Sequence, residues 1–180
     1  MIDFDAVGLG LDYGTVRLAT TRDEWSVIAL ELVGEVAAVL GNRAIAVEHI
    51  GSTTVPGLLA KPVLDLAAGI DAETAIDAVV TPLEAIGWIY RGDGGERGGH
   101  VFVLETRPLH RVAHLHVVVY GGRQWRHYGA LRARLRDDPA ARAKYAATKV
   151  ALAAEFGERN DHNQYTDGKA AVVSELLERP

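Results

Sequence analysis

Two short apolar runs, residues 44–50 (AIAVEHI) and 63–70 (VLDLAAGI), flank twelve residues, GSTTVPGLLAKP, that carry glycine, hydroxyls, two prolines and one lysine. Runs of this length, rich in Val, Ile and Leu and bounded by turn residues, read as strands. A strand that ends in Gly51-Ser52 and bends into a short helical segment exposes backbone N–H groups and hydroxyls, which suit an anion. Lys61 adds a positive charge, and Asp65 falls within the second strand, where a carboxylate facing a cleft can hold a divalent cation through oxygen. The same residues have a plainer reading: Ser52, Thr53 and Thr54 cap a turn, and Asp65 is buried against backbone donors.

The rest of the chain supplies layers to pack on these strands. Thr21 and Glu24 have the spacing of a capping box, and Trp25, Ile28, Ala29, Leu32, Val33, Val36, Val39 and Leu40 recur at helical spacing up to Gly41. Residues 71–86 read as mostly helix, with Asp71 as N-cap and Pro82 either starting a new turn or kinking the helix. Residues 88–91, 100–105 and 111–120 read as strands, separated by GDGGERGG and TRPLH. No helix follows the glycine-rich segment in this reading, so it is a mobile loop and not a dinucleotide fingerprint. Residues 124–136, 139–156 and 166–177 read as helices. Residues 1–15 read as a loose arm, with a short strand at 15–19.

The expected fold class is therefore α+β: a mixed sheet of about five strands packed with helices, and a helical C-terminal third. With 180 residues, 48% of them hydrophobic, the chain suffices for one compact domain spanning 1–180. A net charge of -5 disfavours duplex nucleic acid as the main partner, since that binding needs surplus cations. The absence of cysteine excludes disulfides, thiolate metal sites and a cysteine nucleophile. No basic start leads into an apolar segment, and no apolar run reaches the ~18 residues of a membrane span, so a soluble cytoplasmic protein is expected.

The stretch EHIGSTTVPGLLAKPVLDL closely resembles the signature of the GrpB family, which is similar in fold to nucleotidyltransferases and related to a domain fused to some dephospho-CoA kinases. HRVAHLHVVVYGG resembles that family's His-x-His strand, LRARLRDDPAARAKYAATKVALA its helical segment and YTDGKAAVV its C-terminal helix, together covering about residues 16–178. The resemblance implies that the Gly51-Ser52 turn, with Thr53, contacts nucleotide phosphates and that Lys61, Arg132 and Lys169 face an anionic substrate. It also implies a strand with two carboxylates one residue apart, holding metal ions that bridge a triphosphate. Asp65 matches the first carboxylate; the second position is Ala67, and Ala133 stands where the family pattern often has aspartate.

His114 and His116 point to one strand face and resemble a replacement for the superfamily's third carboxylate. Asp65, His114 and His116 are thus the expected catalytic and metal residues. The implied cofactor is a divalent ion, magnesium, manganese or zinc, and this ligand set favours a borderline ion such as zinc, manganese or nickel over magnesium. The alternative for the histidine pair is a hydrogen-bonded lining of a polar pocket without metal. Arg136 and Lys149 read as charges on exposed helix faces. Tyr145 and Tyr165 are expected to pack helices with hydroxyls at the pocket rim, and Trp25, Trp88 and Trp125 to pack.

The function implied is a nucleotidyltransferase-like enzyme that binds a nucleoside triphosphate and transfers a nucleotidyl or related group to a small acceptor. The rival is a non-catalytic domain that binds a nucleotide or another phosphorylated, coenzyme A-related metabolite.

Overall fold

The computed structural model describes residues 2–95, 99–156 and 162–178, the side chains of 162 and 163 excepted. Its elements are β1 (Leu11–Asp12), β2 (Ala19–Thr20), α1 (Asp23–Leu40), β3 (Ala46–Ile50), β4 (Leu59–Ala60), β5 (Leu64–Ile70), α2 (Asp77–Ala85), β6 (Trp88–Asp93), β7 (His100–Arg107), β8 (His110–Val119), α3 (Arg123–Asp137), α4 (Pro139–Phe156) and α5 (His162–Glu178). The main sheet runs β3-β5-β8-β7-β6, with β1 added beside β8, while β2 and β4 form a small separate pair. β5 and β8 are parallel, and the other pairings of the main sheet are antiparallel. The α+β class and the helical C-terminal third expected from the sequence are both present.

Period-two alternation sorts the two faces of the sheet. Leu64, Leu66, Ala68 and Ile70 of β5 and Ala113, Leu115 and Val117 of β8 are fully buried on one face, against Trp25, Leu32, Val36 and Leu40 of α1 and Val79 and Leu83 of α2. Asp65, Ala67, His114 and His116 therefore project from the opposite face. Over that side, a second cluster of Val55, Leu58, Leu135, Tyr145, Val172 and Leu176 ties α3, α4 and α5 to the loop after β3.

Several local expectations change. Thr21 does not cap α1: the N-cap residue is Arg22, without a side-chain cap, and the Thr21 hydroxyl donates to the Val55 carbonyl at 2.9 Å. A distant acceptor has taken the group that the local pattern reserved for the helix. Asp71 does not cap a helix either, because a 3-10 turn at Glu73–Ala75 intervenes before α2, which holds Pro82 in its interior.

Residues 1–15, expected as a loose arm, hold Leu9 and Leu11 at 2% and 4% exposure, and Leu11 pairs with Arg111. The short strand lies at Ala19–Thr20 and not at 15–19, and α5 begins four residues before Thr166. Of GDGGERGG, expected to be a loop with no helix behind it, residues 96–98 lie outside the described residues. Among the described residues, no helix is long and apolar enough to cross a membrane.

Candidate functional site

The bend after β3 sits directly on Asp65. Gly51 has φ 75, and a Cβ there would lie 2.8 Å from Asp65 Oδ2, so both backbone conformation and proximity require glycine. Register explains the closeness, since Ile50 is the cross-strand partner of Asp65. Ser52–Thr54 is a single 3-10 turn, too short to concentrate a helix dipole, so attraction for an anion must come chiefly from side chains. The Ser52 hydroxyl bonds the Tyr145 hydroxyl. Thr53, expected to contact phosphate, is 2% exposed with its hydroxyl 2.8 Å from His49 Nε2. Thr54 closes the turn by donating to the Gly51 carbonyl at 2.7 Å.

Asp65, His114 and His116 are brought together. The parallel register of β5 and β8 sets Asp65 opposite His114 and Ala67 opposite His116. One ligand atom from each of the three lies within 4.8 Å of the others. His114 Nδ1 is 3.3 Å from Asp65 Oδ1, and these two side chains are 24% and 28% exposed. Burial raises the Asp65 pKa, but the His114 hydrogen bond and charge, with Lys169 and His116, outweigh it and hold the carboxyl well below the usual carboxylate range. The Tyr128 ring lies 5.6 Å from that of His116, and burial pushes its hydroxyl pKa up.

Ala67, at the position of the expected second carboxylate, is fully buried and paired with His116. On the other side of Ala67, its partner on β3 is Glu48, so Glu48, Ala67 and His116 form one row across the site face. Sequence reasoning missed Glu48; the signal was its place two residues before Ile50 on a strand antiparallel to β5. Arg132 donates to Glu48 at 2.8 Å and to the His49 carbonyl at 2.9 Å. It lines a cleft of about 310 Å³ with Glu48, Ile50, Trp125 and Tyr128, so it is a member of the β3–α3 cleft and not of the lysine group beside Asp65. Trp125, expected only to pack, is one wall of that cleft and lies against Tyr120 at 5.0 Å.

Lys149, read from the sequence as an exposed helix charge, is instead 1% exposed: its ammonium donates to the Leu59 carbonyl and stands 5.0 Å from the Tyr145 ring centre. Lys61 lies 3.8 Å over the Tyr165 ring. Burial, then repulsion from Lys169, lowers both lysines to about 7, with Asp65 opposing. Arg136 has a structural task, donating to the Thr54 carbonyl through Nε and Nη2. Burial also lowers His49 to about 4, so that ring is neutral near pH 7.

The site face thus joins a glycine bend to a carboxylate, two imidazoles and a lysine-rich flank, on an α+β fold. The chain belongs to the GrpB family, whose pattern, described as GrpB protein, matches residues 15–179. It is similar to a UPF0157 protein of Deinococcus radiodurans, 36% identical over 73% of this chain and 65% of that relative, so it spans somewhat under two thirds of that protein. It is also similar to the conserved protein GrpB from Enterococcus faecalis, whose crystal structure matches with a TM-score of 0.76 and 26% identity over 90% of this chain and 98% of that one. A dephospho-CoA kinase of Mycolicibacterium paratuberculosis is 37% identical over 41% of this chain and 19% of its own length.

Gly51→Ala should displace the Asp65 carboxylate and cost about 1–3 kcal/mol of stability, read by urea unfolding, because strain and a close contact combine. An unchanged midpoint would refute the contact. The lysines give a signed pH dependence. Between about pH 7 and the ordinary value of 10.5, the unfolded chain holds the Lys149 proton that the folded chain has released, so stability rises with pH across this window. Lys149→Met should flatten that rise in Tm, and an identical slope in the variant would contradict the assignment.

Proposed function

We propose that this chain is a nucleotidyltransferase-like enzyme, binding a nucleoside triphosphate at the Gly51-Ser52 bend and transferring a nucleotidyl or related group to a small acceptor. The observation that carries the reading is the convergence of Asp65, His114 and His116 on one partly open face. In such a transfer an acceptor oxygen attacks the α-phosphorus, the bridging P–O bond breaks and pyrophosphate leaves.

Asp65 and His114 are spaced to share a divalent ion, with His116 close by. Two ligands held about 2.1 Å from one ion in tetrahedral geometry lie roughly 3.4 Å apart, and His114 Nδ1 to Asp65 Oδ1 is 3.3 Å. One carboxylate with two imidazoles suits zinc, manganese or nickel better than magnesium. When bound, such an ion supplies Lewis-acid stabilisation of phosphoryl oxygens. The chain's own residues do the remainder: Gly51 lets the backbone approach the carboxylate, Lys61 and Lys169 orient the phosphates, and Asp65 stays ionised as ligand or proton acceptor.

A second reading follows from Ala67. With one carboxylate on β5, the same face can serve as a non-catalytic site for a nucleotide or a phosphorylated, coenzyme A-related metabolite. The partial likeness to dephospho-CoA kinases is the support for that ligand class.

Calorimetry with ATP, CTP, GTP and UTP, with and without magnesium or manganese, separates the readings. The enzyme reading predicts binding that requires metal and disappears in Asp65→Ala. Metal-independent nucleotide binding that survives Asp65→Ala would replace it with the binding module, and no nucleotide binding under any condition would remove both.

A further inference from the structure

Beside Asp65, where β5 and β8 begin, four cationic side chains arrive from four different elements. Lys61 comes from the turn before β5, Arg111 from the start of β8, Lys149 from α4 and Lys169 from α5. Their charges reach one another: Lys169 acts on Lys61, Lys149 and Asp65, Arg111 acts on Lys61, and Lys61 acts on Lys149. Asp65 is the carboxylate that acts on Lys61, Lys149 and Arg111 alike.

The second observation is a set of buried donors without acceptors. Arg111 is 4% exposed, yet its Nε and Nη2 have no hydrogen-bond partner among the described residues, and the same holds for the Tyr165 hydroxyl at 2% exposure. A buried donor left unpaired is costly, more so on a charged group. Nε and Nη2 form one edge of the guanidinium fork, the edge that grips two oxygens of a carboxylate or phosphate. The Tyr13 ring lies 4.9 Å from the guanidinium carbon and supplies no acceptor to that edge.

We propose that Arg111, Lys61, Lys149, Lys169 and the Tyr165 hydroxyl form a metal-independent pocket for a phosphate or polyphosphate group, set against the Asp65 centre. Four cationic positions facing one carboxylate call for more than a single negative charge, which favours a phosphate dianion or polyphosphate over a carboxylate. The pocket deepens the reading given under the proposed function, because the terminal phosphates of the same ligand would fill it while Asp65 faces its reacting end. Burial and repulsion from Lys169 lower Lys61 and Lys149 to about 7 in the free protein, and a bound anion would raise both again.

The test is calorimetric titration of the whole chain with inorganic tripolyphosphate in EDTA at neutral pH. Binding should be measurable in the wild type and weakened at least about tenfold in Arg111→Met and in Lys149→Met. It should be weakened less in Arg111→Lys, which keeps charge but loses the fork. Asp65→Asn should leave binding equal or tighter, since it removes the negative charge that acts on Lys61, Lys149 and Arg111. This separates the pocket from the metal-dependent nucleotide reading, which requires Asp65. Circular dichroism checks that each variant folds; if Arg111→Met does not, Lys149→Met and the rise in wild-type Tm with added tripolyphosphate carry the test. No tripolyphosphate binding by the wild type, or unaltered binding in folded Arg111→Met and Lys149→Met, would overturn the proposal.

Discussion

Parallel pairing of β5 with β8 is the constraint on which the rest depends. It brings Asp65 beside His114 and Ala67 beside His116, and it buries Leu64, Leu66, Leu115 and Val117 on the reverse face. A slip of one residue would send the aliphatic set toward α4 and α5 and turn the carboxylate and imidazoles into the core. Burial of those side chains contributes on the order of 1.5–3 kcal/mol each, so the apolar face fixes the register and the polar face inherits it. The geometry of the polar face is thus held by the aliphatic residues of the opposite face.

The C-terminal helices then make the environment of that face. Tyr145 and Tyr165 turn their rings toward Lys149 and Lys61, and the Tyr145 hydroxyl reaches Ser52 on the bend. An ammonium over an aromatic face gains roughly 0.5–2 kcal/mol, more as water is excluded. That gain offsets only part of the cost of burying a lysine, which is why both ammonium groups are so much less basic than in water.

Much of this was legible in the sequence because its physics is local. Alternation in VLDLAAGI and in HRVAHLHVVV already separates core from site, and His-x-His can only point one way on a strand. What escaped was non-local. Lys149 sits in a helix whose pattern permits a solvent face; only the arrival of the Leu59 carbonyl and the Tyr145 ring shows that it is buried. Thr21 had a capping partner three residues away and chose Val55, 34 residues away. The pairing of β8 with β7 shifts register between Leu104 and Arg107, and there Arg111 comes under the influence of Lys61 and Asp65. Such an irregularity leaves no trace in a two-residue period. Glu48 was hidden for a related reason, since its place beside Ala67 depends on the register of β3.

The central claim is that Asp65, His114 and His116 act as one ligand set. Long-range proton–nitrogen NMR of the imidazoles during a zinc titration tests it most directly, because it reads each ring nitrogen and not a global property. The account predicts that the His114 and His116 nitrogens shift together at one equivalent of zinc, that Asp65→Ala weakens the shift, and that His100 and His110 do not respond. Zinc that shifts other histidines first, or leaves His114 and His116 unmoved, would contradict it.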